Sequence, residues 1–591
     1  MKEPQYSRKT SIYRSGSSKR SPKRIAILIA VITGVGVILG VGLLWEKRKL
    51  TEQFDLLIVN GLVVDGTGAP ARQMTIGIRE GKVVPVSCPY FAEAGRTISA
   101  RGLVVAPGFI DVHTHIEGNV GSRKSSLLAP NFIAQGTTTI ITGNCGRSAL
   151  SLSKFFQQLD SHGAQINIGS LVGHNTIRRE VMNEASRAPT ADELRRMCEL
   201  VARAMREGAL GLSTGLEYNP GLFARENEIE ALATIAAQYH GIYATHMRDE
   251  GNGVVASLKE AISIARGARI PLEISHLKWR GRVNWRKAQR LIDMIVEARN
   301  SGLNVRCDAY PYTASSTTLD VLIPKEAREG GNGRLRERLR DPSEHRRILS
   351  GILDQMNSEG WSDFSFARVA YCDFAPEFNG LTITEVALSL SDTNKPANNT
   401  STDRSPGSPT RIKQDKRGLD GRRPSATSQA EAICYLASRG SVQMVFENMS
   451  EDDMFNIFSF SDCMLGSDSN IRNGEGRPHP RGYGSAPRLL SLLSKEKGLF
   501  SLEEAVRRMT SLPAETFGII DRGRLQPGYW ADAVIFDPSQ IKDRATYDSP
   551  FRTPDGIVYV LVNGQVALDH GEPGSLNAGH VIKSESSKTW E

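Results

Sequence analysis

The stretches ALGLST (209–214), ENEIEALATIAAQYH (226–240), GIYATH (241–246), VVASLKEAISIARGA (254–268) and PLEISH (271–276) decide the architecture. The short runs are apolar, the long ones repeat apolar residues at helical spacing, and the two kinds alternate. Such alternation makes parallel strands joined by crossover helices. It continues outward through TTTIITGNC (137–145) and INIGSLVGH (166–174) on one side, and through WRKAQRLIDMIVEARNSG (285–302) and NVRCDAYPY (304–312) on the other. Over 106–522 the count approaches a (β/α)8 barrel, so the fold class is α/β.

Both flanks of this region are written in short β segments: FDLLIVNGLVVDG (54–66) and MTIGIREGKVVPV (74–86) before it, GRLQPGYWADAVIFDP (523–538) and IVYVLVNGQVALDHG (557–571) after it. Asn60-Gly61 and Asn563-Gly564, each between apolar runs, read as hairpin turns. Residues 54–105 and 523–583 are therefore expected to build one small β-sandwich together. The stretch 396–428 has Ile412 and Leu419 as its only large aliphatics among Ser, Thr, Pro, Arg and Lys, so it reads as a disordered insertion. Its basic excess leaves a docking loop as the alternative.

Charge and cysteine usage exclude several classes. The chain has 591 residues and a formal charge of +8, but residues 1–24 hold eight Lys or Arg against one Glu, so the body is nearly neutral. A nucleic-acid partner needs a basic face on the folded body, and none exists. Seven scattered cysteines without a CxxC pair do not form a disulfide framework. Residues 25–45 run without a charge and match the length of a transmembrane helix, a cleaved signal peptide being the alternative. The basic tail 1–24 would then stay in the cytoplasm, with the catalytic body on the outer face of the membrane. Gly36 and Gly40 form a GxxxG that could pair two such helices into a homodimer.

Chemistry gathers at strand ends. His113-Thr114-His115 follows the apolar run 103–112, and alternation puts both imidazoles on one side, about 6.5–7 Å apart at the backbone and within reach of one metal. Alone, such a pair is equally two hydrogen-bonded histidines. His246 and His276, however, each end a β run, Cys145 follows TTTIITGN, and Asp468 follows DCMLGS. In a barrel these ends converge on the face where active sites lie. Nitrogen and sulfur donors suit Zn²⁺, whereas Mg²⁺ or Ca²⁺ would want more carboxylates.

DVHTH, GNCG, YATHMRDE with ISHLK, DAYPYTASST, GSD and HPRGYG, in that order, resemble the amidohydrolase superfamily in its D-aminoacylase branch, the N-acyl-D-amino-acid deacylases. The resemblance runs from about Phe54 to Ile582 outside the insertion and implies a barrel plus a β-sandwich. It implies one tight zinc on Cys145, His246 and His276, with His113 and His115 at a second, weaker position. Asp468 matches the carboxylate that takes a proton from the attacking water and passes it to the leaving amine. Arg481 matches the residue that grips the substrate's α-carboxylate, Tyr310 and Ser316 its polar partners, and Lys278 an added charge. The expected substrate is thus a small N-acyl-D-amino acid, the alternatives being a cyclic amide such as a hydantoin or dihydropyrimidine, a dipeptide, or a surface protein that binds without catalysis. Ile116-Glu117 and Ser469-Asn470 depart from the family pattern at the pocket, and they touch substrate identity more than the ligand set.

Overall fold

The computed structural model describes residues 33, 52–120, 127–393, 423–471, 474–574 and 576–585. Eight parallel strands form a ring: β1 (Phe109–Asp111), β2 (Thr137–Thr142), β3 (Asn167–Ser170, continued by Val172–Gly173), β4 (Gly211–Gly215), β5 (Ile242–His246), β6 (Leu272–Ile274), β7 (Val305–Ala309) and β8 (Cys463–Leu465). Each pairs in parallel with the next. The ring closes where Val112 N donates to Leu465 O at 3.4 Å and Thr114 bridges Ser469. Strands such as β2 and β5 are buried along their whole length, which is why they read as unbroken runs rather than alternating ones.

The crossover helices show why the intervening runs are helical. Ala191–Arg206 starts at a capping box between Thr190 and Glu193 and buries Met197, Val201, Ala204 and Met205, a stripe at intervals of three and four that packs on the ring. Phe109, Ile140, Leu212, Tyr243 and Leu272 belong to the same core.

Residues from both ends of the body share one β unit, a nine-stranded hydrogen-bonded sheet whose N- and C-terminal strands pack into one core. Glu52–Val63 pairs with Arg72–Arg79, Ala92–Ser99 and Val104–Pro107, and Ala533–Phe536 joins the C-terminal strands to Val104–Pro107. Asn563-Gly564 is a hairpin turn, but Asn60-Gly61 is not: the strand runs through it, and the positive φ of Asn60 (62°) is absorbed in a bulge between Ile58 and Gly61.

Between β7 and β8 the chain builds a separate unit that the alternation had hidden within the barrel. Ser315–Thr318, Gln443–Phe446 and Ala367–Tyr371 form a three-stranded antiparallel sheet, backed by helices that include Pro342–Ser358 and Ala426–Arg439. Its own core contains Ile348, Phe364, Val369, Leu436 and Met444. The proposed insertion 396–428 lies outside the described residues up to 422; its last residues belong to the helix Ala426–Arg439, which Ser425 caps by accepting from Ser428 N at 3.1 Å.

The structure does not bear out the expected N-terminal transmembrane helix. No helix among the described residues is long and apolar enough to cross a membrane, and 25–45 lies outside those residues apart from Thr33. The membrane as a partner, and the single-pass placement with an outward-facing body, are corrected with it.

Candidate active site

Three residues at the strand ends adopt left-handed backbone: Cys145 (φ 50°), His276 (φ 36°) and Asp468 (φ 48°). Non-glycine residues rarely take this conformation, and such strain concentrates at functional sites. Here it turns each chain sharply at the mouth of the ring. Gly146, next to Cys145, also has positive φ (72°), and a Cβ there would run into Asn175 Oδ1, so the glycine after the cysteine is required by close packing.

The expected ligands come together. Cys145 Sγ lies 3.3 Å from His113 Nε2, 3.5 Å from His276 Nε2 and 3.7 Å from His246 Nδ1, and His246 Nδ1 lies 3.0 Å from His276 Nε2. His115 Nε2 is 3.2 Å from Asp468 Oδ1, which is 3.8 Å from His113 Nε2. Zinc at about 2.0–2.1 Å from nitrogen and about 2.3 Å from sulfur makes tetrahedral edges of about 3.3–3.6 Å; the Cys145–His276 spacing lies in that range, the Cys145–His246 spacing slightly above it and the His246–His276 spacing below it. Among the described residues, His113, Cys145 and His276 form one cluster that could hold a metal, His113, His115 and Asp468 a second, and His246, Glu250 and His276 a third, so His113 and His276 each belong to two. Burial, with Asp468 and Glu250 nearby, pushes the Cys145 thiol well up, so its thiolate requires a cation beside it.

A buried outer layer orients these rings. Asp308 Oδ2 meets His113 Nδ1 at 3.2 Å, Glu217 Oε2 meets His246 Nε2 at 3.0 Å, and Glu250 Oε1 meets His276 Nδ1 at 3.0 Å. Each contact engages one ring nitrogen and leaves the other for the ligand cluster. Lys278 sits in this layer, with Nζ 2.7 Å from Glu250 Oε1 and 2.8 Å from His276 Nδ1, and is buried away from the substrate cavity. Arg280 in turn pairs with Glu217. Burial disfavours the Glu250 charge, but His246, Lys278 and His276 hold its carboxyl well below the ordinary range. Burial and Lys278 lower His276 to about 3, so its imidazole is neutral. The sequence reading missed Glu217, Glu250, Asp308 and Arg280; the available signal was a carboxylate two to four residues beyond a β run for the first two and a charge inside an apolar strand for Asp308.

A cavity of about 510 Å³ opens onto the cluster. His115, Cys145 and Asp468 lie on its barrel side, while Ser316, Thr317, Thr318, Tyr371 and Gln443 from the separate unit line the opposite side. Arg481 Nη2 is 2.8 Å from Asp468 Oδ2 and donates to Ser316 O at 3.3 Å. Burial works against the Asp468 charge, yet Arg481 and His115 hold this carboxyl well below the usual range. Arg481 Nη1 is buried without a hydrogen-bond partner, as is the hydroxyl of Tyr310, whose ring lies 4.6 Å from the guanidinium. Ser316 Oγ donates to Met444 O at 2.7 Å, tying it to the neighbouring strand. His174 is structural: its Nε2 meets Glu228 at 2.9 Å beside the buried Arg178.

A closed parallel barrel with histidines, a cysteine and an aspartate at one mouth defines a metal-dependent hydrolase of the amidohydrolase type. The Amidohydrolase family model matches residues 96–313 and 462–568, passing over the separate unit. The D-aminoacylase of Alcaligenes xylosoxydans xylosoxydans is 32% identical over 555 residues, covering 90% of this chain and 98% of that protein. The N-acyl-D-glutamate deacylase of the same organism is 32% identical over 560 residues, covering 91% and 98%. The zinc- and phosphonate-bound N-acyl-D-glutamate deacylase of Bordetella bronchiseptica superposes with a TM-score of 0.72 at 31% identity, over 90% of this chain and 100% of that one. This chain belongs to the amidohydrolase superfamily, in its D-aminoacylase, or N-acyl-D-amino-acid deacylase, family.

Proposed function

We propose that the chain is a zinc-dependent hydrolase that cleaves the amide bond of N-acyl-D-amino acids, releasing a carboxylate and a free D-amino acid. Cys145, His246 and His276 would hold the tight zinc, and His113 with His115 a second, weaker one. Bound zinc supplies a Lewis acid for the amide carbonyl and an acidified water. Asp468 faces the cluster as a carboxylate and serves as the base: it takes a proton from the attacking water and returns it to the departing amine nitrogen. Arg481 fixes Asp468 through Nη2 and offers Nη1 to the substrate's α-carboxylate, and Tyr310 adds its hydroxyl.

The observation that carries this reading is Arg481 at the cavity wall, its Nη2 on Asp468 and its Nη1 buried without a hydrogen-bond partner. A buried donor left unpaired costs free energy until an anion satisfies it, and a carboxylate does so. The deciding experiment is amine release by the zinc-loaded protein from matched N-acetyl-D- and N-acetyl-L-amino acids. Hydrolysis of the D series is expected; release only from the L series, or from a hydantoin alone, would overturn the proposal.

A further inference from the structure

Arg147 stands two residues after Cys145, exposed at the edge of the cavity that it lines. Its guanidinium lies 5.6 Å from the centroid of the Tyr218 ring, which packs in turn against His246 at 4.7 Å. Thr317 Oγ1 fixes Tyr218 by donating to its hydroxyl at 2.9 Å. The cation therefore rests on an anchored aromatic face on the His246 side of the cavity. Among the described residues no carboxylate forms an ion pair with it. The contrast with Arg481, which Asp468 neutralises at 2.8 Å, is direct. Glu117, the other carboxylate of the cavity wall, turns its Oε1 to Thr142 Oγ1 and Gly143 N.

Among the described residues the cavity thus presents two guanidinium groups, Arg481 in an ion pair with Asp468 and Arg147 in none. An N-acyl amino acid with a neutral side chain brings a single carboxylate, which Arg481 Nη1 and Tyr310 satisfy. We infer that Arg147 receives a second carboxylate, carried by the substrate's side chain, so that the enzyme prefers N-acyl derivatives of acidic D-amino acids. This rests on the reading of the site as an N-acyl-amino-acid hydrolase. A guanidinium on an aromatic ring keeps its edge N–H groups free, and these form two parallel bonds to a carboxylate but not to a carboxamide.

N-acetyl-D-glutamate and N-acetyl-D-glutamine have nearly the same shape and differ in charge, so the ratio of their kcat/KM values reads the contact. The dissociation constants of the products D-glutamate and D-glutamine, measured by calorimetry on the zinc-loaded protein, read it independently of turnover. The parent should favour the acid by about tenfold or more in both measurements. Arg147→Met should bring both ratios within about threefold, with zinc content unchanged, and Arg147→Lys should restore part of the preference. A parent ratio near one, or a preference that survives Arg147→Met, would overturn the inference while leaving the hydrolase reading intact. Absence of turnover on both substrates would sink the hydrolase reading, and the product-binding ratio would still decide the role of Arg147.

Discussion

Replacing Glu217 by glutamine tests whether the buried outer carboxylates sustain both the fold and the ligand ring. Burial opposes its charge, yet Arg280 and His246 bring Glu217 down to about 2 from an ordinary 4.5. At about 1.4 kcal/mol per pH unit, that depression contributes roughly 3 kcal/mol to the folded state. Read from its partner, the same interaction leaves the Arg280 guanidinium buried without its counter-charge, so the loss is about 3–5 kcal/mol in all. Roughly 500 ordered residues unfold with an entropy of about 1 kcal/mol per degree, so the midpoint should drop by about 3–5 °C at pH 7. The sign in acid follows from the direction of the shift. A carboxyl lowered in the folded state contributes fully above its unfolded value of 4.5 and loses that contribution as pH falls through about 2. The gap between parent and Glu217→Gln in scanning calorimetry should therefore be complete at neutral pH and narrow only in acid. Because a carboxamide brings no charge to the His246 imidazole and can turn its NH2 instead of its oxygen toward Nε2, zinc affinity measured by chelator competition should fall about 10–100-fold. A variant with the parent's midpoint at pH 7 and the parent's zinc affinity would refute the reasoning.

Cys145→Ala should lose the tight zinc, as elemental analysis after dialysis would report, because three neighbouring histidines remain without a thiolate; one retained equivalent at parental affinity would show the ligand set to be wrong. Asp468→Asn should keep the ion on Cys145, His246 and His276 and lose turnover by at least about a hundredfold, and near-parental kcat would remove its role as base. Tyr310→Phe should raise KM for N-acyl-D-amino acids by about tenfold with kcat less affected, since its hydroxyl has no protein partner to lose. An unchanged KM would take Tyr310 out of the carboxylate site.

How much of this was legible in the sequence differs from part to part. The barrel could be read because strands buried on both faces carry continuous apolar runs, and the ligands because five of them sit at or just beyond the ends of those runs. The separate unit could not be set apart, since its helices repeat the surrounding rhythm and its first strand, Ser315–Thr318, is SSTT, with no apolar alternation to mark it. Asn60-Gly61 signals a positive φ, which a bulge satisfies as well as a turn does. The outer carboxylates were missed because their meaning lies in distant partners: Glu217 meets Arg280 across 63 positions, and Asp308 meets His113 across 195. Lys278, two residues past His276, reads in the sequence as a substrate contact because nothing local announces its buried partner Glu250.

The separate unit between β7 and β8 has a consequence for how such an enzyme diversifies. Its strands and helices are stabilised by a core distinct from the one beneath the barrel, and it lends Ser316, Thr317, Thr318, Tyr371 and Gln443 to the cavity while contributing none of the clustered ligands. Mutation there can reshape what enters without disturbing the atoms that hold the ion, because the two sets of side chains answer to different packing constraints. Inheritance of the reaction and inheritance of substrate choice are thereby uncoupled along one polypeptide: drift in 315–446 explores new specificities, and the barrel preserves the chemistry while it does so.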